Sequence, residues 1–318
     1  MRKTTTKLAL LFPLALLYGC ANSSPLSESF FAFDTAFEIR VYDGNRQAIE
    51  QVKDLLLDIS SDLNANAREA ENGLFMLNRD RHLSNPSPYL LECLQLAVSY
   101  RDATSNYYSP FLFDLSTLNK DALANDELLD EATIEEELRK SNSTSVSFED
   151  GIRIEGEANL DLGGIAKGYA LDKAKEVFDR LDCSQYMVYA GSSSLLFGET
   201  GESGKDFTLS LRDYPGYKIS ISRASVSVSS VYEQGKVIDG QMHSHIIDPH
   251  DGSDVSDHSL VMLLSPESDL PDLNARLDAY STAAMNMDER QMGELLGGYS
   301  YAVFDGEELS FSKGVQWR

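Results

Sequence analysis

The chain has 318 residues, of which 42% are hydrophobic and 25% charged, and its 27 Lys and Arg against 51 Asp and Glu leave a formal net charge of −24. This balance excludes disorder, collagen-like repeats and a nucleic-acid partner, since such a surface repels a phosphate backbone. Cys20, Cys93 and Cys183 are too few and too scattered for a disulfide framework or a thiolate metal site.

Arg2, Lys3 and Lys7 precede an apolar run at 8–17 that is broken only by Pro13. It falls short of the ~20 apolar residues that span a bilayer and reads as a secretory h-region. The run ends Leu17-Tyr18-Gly19-Cys20, which resembles a bacterial lipobox, although Tyr18 is an unusual choice there. Residues 1–19 are therefore assigned to a lipoprotein signal peptide, Cys20 to lipidation, 20–29 to a polar tether and 30–318 to one folded domain. Two or three acyl chains on Cys20 would anchor the protein stably, on the periplasmic side of a bacterial membrane. An ordinary signal peptide with a chance cysteine is the alternative.

Alternation through Phe33, Thr35, Phe37, Ile39 and Val41 predicts a strand over 33–42, closed by the turn residues Asp43-Gly44-Asn45. Helical spacing of apolar residues predicts helices over 48–63 and 88–100, with Cys93 as a buried apolar residue of the second. Eight acids between 121 and 137 predict a single solvated helix over 121–140. Short strands follow at 145–148 and 151–154, a helix at about 168–181, and strands at 186–189, 207–211, 217–222, 259–264 and 301–305. Helices and strands interleave without a repeat or a linker, so the class is α+β or α/β in one intertwined domain.

Three stretches carry chemistry. The first is Asn159-Leu160-Asp161-Leu162-Gly163-Gly164-Ile165-Ala166-Lys167-Gly168-Tyr169-Ala170-Leu171-Asp172. It reads as a strand end, paired glycines, a lysine and a helix. Glycines admit close approach of a ligand to backbone, and a helix N-terminus favours anions. P-loop spacing is absent, and a tight strand-to-helix connection explains the stretch equally well. The second is His243-Ser244-His245-Ile246-Ile247-Asp248-Pro249-His250-Asp251-Gly252. Its histidines invite a zinc site, but no cysteine or glutamate stands at ligand spacing, and Asp-Pro and Asp-Gly are ordinary turn dipeptides. The third is Leu277-Asp278-Ala279-Tyr280-Ser281-Thr282. On a helix, Asp278 and Thr282 share a face and offer a partial oxygen shell suited to Mg²⁺, or simply decorate a surface.

In this order and at these intervals, the three stretches resemble the ApbE family, FAD:protein FMN transferases that are often periplasmic lipoproteins. The resemblance extends from about Phe33 to the C-terminus. It implies an α+β fold of mixed β-sheets flanked by helices, a single intertwined, T-fold-like domain. It implies Mg²⁺ on the side chains of Asp278 and Thr282 and the carbonyl of Gly164, and FAD against Phe33, Asp161, Lys167 and Ile246. The reaction implied is transfer of FMN from FAD to a threonine hydroxyl of a partner protein, with release of AMP. Flavinylated subunits of quinone reductases or Rnf-type complexes are the partners the family suggests. His245 and Lys167 would be catalytic, His245 as the base with a lowered pKa and its effect largest near neutral pH. His243, His250 and His258 would be solvated turn residues.

Departures from the family pattern cluster on the flavin side. The usual Gly-x-Phe-Asp-Pro-Thr is Asn106-Tyr107-Tyr108-Ser109-Pro110-Phe111, and Met-Gly-Thr is Phe33-Asp34-Thr35. Gly-Gly-Asp is Gly191-Ser192-Ser193, and Ala-Thr-Ser-Gly-x-Tyr is Ser227-Val228-Ser229-Ser230-Val231-Tyr232. Weakened flavin affinity is therefore expected. A flavin-binding lipoprotein without transfer activity and a Mg²⁺-dependent FAD pyrophosphatase are the alternative readings.

Overall fold

A computed structural model describes residues 25–191, 193–211, 214–254, 256, 258–266 and 270–312. The signal peptide and Cys20 lie outside the described residues, as does Ser192. Among the described residues, no helix is long and apolar enough to cross a membrane.

Strands β1 (Leu26–Ala32) and β2 (Thr35–Val41) form a hairpin. Its two turn residues, Phe33 and Asp34, take φ of 49° and 55° without a glycine; positive φ at both central residues gives the twist that hairpins favour. β1 takes in residues 26–29, which the sequence reading leaves in the tether. The signal is there, since Leu26, Glu28 and Phe30 turn inward while Ser27, Ser29 and Phe31 face out.

Helix α1 (Arg46–Leu63) starts at Asn45, whose side chain accepts from the Ala48 N–H. Then come α2 (Leu74–Asp80), β3 (His82–Leu83) and α3 (Pro88–Ala103). The acidic stretch is two helices, α4 (Phe113–Ala124) and α5 (Glu131–Ser143), not the single one expected over 121–140. Asp126 adopts a left-handed φ of 61° that ends the first, and the Asp130 carboxylate caps the second through the Thr133 N–H. Strands β4 (Ser145–Ser147) and β5 (Ile152–Glu155) join β3 in a small sheet.

The rest is α6 (Ala166–Arg180), β6 (Tyr186–Ala190), β7 (Ser194–Phe197), β8 (Phe207–Leu211), β9 (Tyr214–Ile221), β10 (Ala224–Ser230), β11 (Lys236–Ile238), β12 (Gln241–His243), β13 (Leu260–Pro266), α7 (Leu273–Ala284), α8 (Glu289–Leu296), β14 (Ser300–Phe304) and β15 (Leu309–Phe311). The main sheet runs β1-β2-β6-β7-β10-β13-β14-β15. The class is α+β as expected, and every pairing in this sheet is antiparallel.

Both faces of the sheet are covered. Val188, Leu196, Val261 and Leu263 pack against the helices, while Met187, Leu195, Met262 and Leu264 pack under the β8–β9 hairpin. That double burial is why β6 and β13 read as continuous apolar runs. Cys93 and Cys183 are both buried, and burial pushes the Cys183 thiol up to about 12, so neither is a nucleophile.

Helices α6 and α7 pack most tightly where the site forms. A Cβ on Gly168 would sit 2.2 Å from the Asn274 carbonyl oxygen, so only glycine allows this approach. From α6, Asp172 caps the start of α7: it accepts from the N–H groups of Asn274 and Ala275 and from the Asn274 amide. Burial pushes this carboxyl up to about 7, against the three donors that favour its ionised form.

Candidate active site

The expected strand before Gly163-Gly164 does not form; residues 156–162 are irregular. Two side chains and one carbonyl from elsewhere replace the sheet hydrogen bonds this backbone lacks. Asn78 exchanges two bonds with Leu160, Asp114 accepts twice from Asn159, and the Asp161 N–H donates to the Pro110 carbonyl. The Asp161 carboxylate accepts from the Gly163 N–H at 2.9 Å, which tightens the turn into α6. Lys167, in the first turn of α6, donates to the Gly163 carbonyl at 3.3 Å.

On α7, Asp278 is 5% exposed and surrounded by donors. One carboxylate oxygen accepts from the Ser194 and Ser227 hydroxyls, both at 2.8 Å, and the other from the Gly168 N–H at 2.8 Å. Gly168 stands in the first turn of α6, where an N–H has no carbonyl within the helix to bond, and Asp278 supplies its acceptor. Gly164 lines the same cleft just ahead of that turn. Thr282 follows one turn after Asp278, with its hydroxyl 3.3 Å from that of Ser229 and 3.4 Å from the point where a Gly164 Cβ would stand. Ser281 links Ser227 and Ser229, at 3.0 and 2.9 Å.

These groups fit a small hard cation. A carboxylate, a hydroxyl and a main-chain carbonyl belong to Asp278, Thr282 and Gly164, which line one cleft, and a carboxylate has about four lone-pair positions, of which three are engaged here. Such a set leaves room for the waters that Mg²⁺ keeps. The described residues hold no cluster of three or more His, Cys, Asp or Glu, so the histidines at 243, 245 and 250 are not gathered at one point. His243, His250 and His258 are each engaged elsewhere. His243 is buried with its ring on Asp254 at 2.7 Å, contrary to the solvated role expected. His258 is half-buried against the Met287 carbonyl, also contrary to expectation, whereas His250 is the exposed turn residue expected, bonded to Asp248.

All of Phe33, Asp161, Gly164, Lys167, His245, Ile246, Asp278 and Thr282 line one cleft of about 480 Å³. That volume lies within the range of small-molecule sites, roughly 300–1,000 Å³. The sequence reading misses Lys120, Tyr108 and the serines at 194, 227, 229 and 281. The Ser-Val alternation over 225–229 is a period-two signal that could have revealed β10 and its hydroxyl face.

His245 sits at this cleft half-buried, and its Nδ1 is buried with no partner among the described residues. Burial, with smaller repulsion from Lys120 and Lys167, lowers its pKa to about 4. The ring is therefore neutral throughout pH 6 to 9, and the rate ratio of wild type to His245→Ala should be flat there rather than largest near neutrality. The folded value of about 4 lies below the ordinary 6.5, so the unfolded chain binds more protons between them. This group's stabilising contribution is complete above about pH 6.5 and is lost as the pH falls toward 4. His245→Gln should flatten the rise in stability across that window, as read by urea unfolding at stepped pH. An unchanged slope would place the ring in water.

The ApbE family model matches residues 33–303. Two matches are to proteins of Klebsiella pneumoniae named FAD:protein FMN transferase. One is 28% identical over 108 residues, 32% of this chain and 30% of its own length. The other is 25% identical over 238 residues, 72% of this chain and 70% of its own length. The crystal structure of the ApbE protein of Thermotoga maritima superposes with a TM-score of 0.78 at 20% identity, covering 91% of this chain and 97% of that one. The flavin transferase ApbE of Vibrio cholerae superposes at 0.72 with 16% identity, over 91% and 97% of the two chains. A fold shared over nine-tenths of its length and a family match spanning 33–303 give one conclusion: the chain belongs to the ApbE family.

Proposed function

We propose that this protein transfers FMN from FAD to a threonine hydroxyl of a partner protein, with Mg²⁺, and releases AMP. The observation that carries this reading is the convergence of four separate stretches, at 33, 161–167, 245–246 and 278–282, on one cleft. In the reaction the threonine oxygen bonds to the FMN phosphorus, the pyrophosphate P–O bond breaks, AMP departs with that bridging oxygen, and the hydroxyl proton passes to the His245 imidazole. Bound at Gly164, Asp278 and Thr282, Mg²⁺ would polarise the phosphoryl oxygens and neutralise the departing charge. Lys167 and Lys120 bring positive charge to a cleft in an otherwise acidic protein, so they draw the dinucleotide phosphates in. The phosphates offset the smaller, lysine part of the His245 shift and leave burial, its main cause, in place, so the ring stays neutral with substrate bound. Phe33 and Ile246 supply apolar wall for the flavin.

The test uses the soluble form with FAD, Mg²⁺ and a threonine-bearing acceptor domain of the quinone reductase or Rnf type, followed by intact mass of the acceptor. Transfer adds the FMN moiety to the acceptor. FMN and AMP in solution with an unmodified acceptor would make the protein a pyrophosphatase, and bound FAD left intact would make it a carrier.

We further propose that lipid on Cys20 holds the mature protein on the periplasmic side of the membrane. Cys20→Ser should then release it to the soluble fraction or leave it unprocessed. Fractionation that finds the variant membrane-bound like wild type would refute the anchor.

A further inference from the structure

Tyr108 is 3% exposed, and its hydroxyl is buried with no partner among the described residues. Burying a hydroxyl without a hydrogen bond is unfavourable, so the group calls for an acceptor. Its place in the fold narrows what that acceptor is. The Tyr108 N–H donates to the Thr104 hydroxyl at 3.1 Å, which fixes the backbone after α3. The ring then lies against Gly164, with Cε2 3.1 Å from the point where a Gly164 Cβ would stand. The Thr282 hydroxyl is 3.4 Å from that same point. Because Cε2 is bonded to the carbon that bears the hydroxyl, the phenol group lies beside the centre formed by Gly164, Asp278 and Thr282. Burial first, then Cys93, Asp161 and Asp278, raise its pKa, so the hydroxyl keeps its proton.

Among the described residues no oxygen takes the phenol proton. Asp278 accepts from Ser194, Ser227 and Gly168, and the Thr282 hydroxyl is engaged with the Asp278 carbonyl and Ser229. The missing acceptor therefore belongs to what the centre binds. A small divalent cation with few protein ligands keeps several waters, and a cation-bound water is a polarised group that needs neighbours to orient it. We propose that the Tyr108 hydroxyl hydrogen-bonds to a water in the shell of the cation at Gly164, Asp278 and Thr282, and so sets the affinity of that site. This rests on the cation reading given above.

The experiment titrates Mn²⁺ without nucleotide into wild type, Tyr108→Phe and Asp278→Ala, by calorimetry and by the loss of the free-ion electron paramagnetic resonance signal. Melting temperatures are taken with and without the ion. Wild type should bind, Asp278→Ala should not, and Tyr108→Phe should bind on the order of tenfold more weakly, the scale of one hydrogen bond to a charged group. Metal-free Tyr108→Phe should melt no lower than wild type, because the substitution removes an unpartnered buried hydroxyl. A merely structural tyrosine would give the reverse pattern, a lowered metal-free melting point with unchanged Mn²⁺ affinity, and that result overturns the proposal. So does equal Mn²⁺ affinity combined with weaker binding of FAD alone, which would make a phosphate oxygen the acceptor. If wild type binds no Mn²⁺, the cation reading fails, and this inference with it.

Discussion

Asp278→Ala should lower flavin transfer by about 10³-fold or more, above the ~10²–10³ typical of removing one preorganised electrostatic contact. The reason is charge. Thr282 and the Gly164 carbonyl are neutral donors, too little to take a strongly hydrated cation from water without the carboxylate. The substitution also strands the Gly168 N–H and the hydroxyls of Ser194 and Ser227 at a position that is 5% exposed. Each orphaned group costs about 1–3 kcal/mol, less where a serine rotates to Ser281 or water enters the space. Asp278→Asn separates the two effects, because it keeps the shape and one acceptor oxygen while removing the charge. Transfer should vanish in both variants, whereas stability to urea should fall clearly only in the alanine. An Asp278→Asn protein with wild-type turnover at limiting Mg²⁺ would put the cation elsewhere.

The second large effect is expected at Gly168. The added Cβ of Gly168→Ala would meet the Asn274 carbonyl oxygen at 2.2 Å, its carbon at 2.6 Å and the Ala275 Cα at 2.9 Å. All three are main-chain atoms, so no rotamer change relieves the overlap and α6 must move away from α7. Overpacking of this kind destabilises by about 1–3 kcal/mol and occasionally more, and a main-chain clash falls at the upper end. Transfer should also fall by about 10²-fold, the order of loss from a displacement near 1 Å between reacting groups. Gly163→Ala is the control, since its Cβ would come only within 3.3 Å of the Asp161 carboxylate, a side chain free to adjust. Unfolding midpoints and single-turnover rates of the two variants check this; equal behaviour would mean that the helices tolerate a looser approach.

Much of the architecture was legible in the chain. The alternation over 33–42 and the helical spacing at 48–63 and 88–100 correspond to β2, α1 and α3. What escaped has physical reasons. β7 is four residues with every side chain buried, too short for any period to emerge. β10 turns Ser227 and Ser229 toward α7, so its Ser-Val alternation carries the polar face inward, the reverse of the usual strand. α7 is buried on nearly every side, so it carries no polar stripe to betray helical spacing. In the site, the stretches holding Asp161 and Lys167, His245, and Asp278 with Thr282 stood out by themselves, but each alone has an ordinary structural explanation, and the family resemblance was needed to give their residues roles. Ser194 could not be singled out at all, and Ser227 only as part of the Ser-Val alternation. Both lie in strands and reach Asp278 from 84 and 51 positions away.

The seam between α6 and α7 also bears on how the protein can change. Gly164 and Lys167 ride at the start of one helix, Asp278 and Thr282 on the other, and the spacing between the pairs is set by main chain resting on main chain. Side-chain drift elsewhere in the cleft does not reach that caliper. The segments at 33–34, 107–109 and 230–234 line the same cavity but hang on the hairpin turn, the stretch between α3 and α4, and the turn after β10. Those at 33–34 and 230–234 can change without moving the main-chain contact between the two helices, whereas 107–109 carries Tyr108, which rests against Gly164.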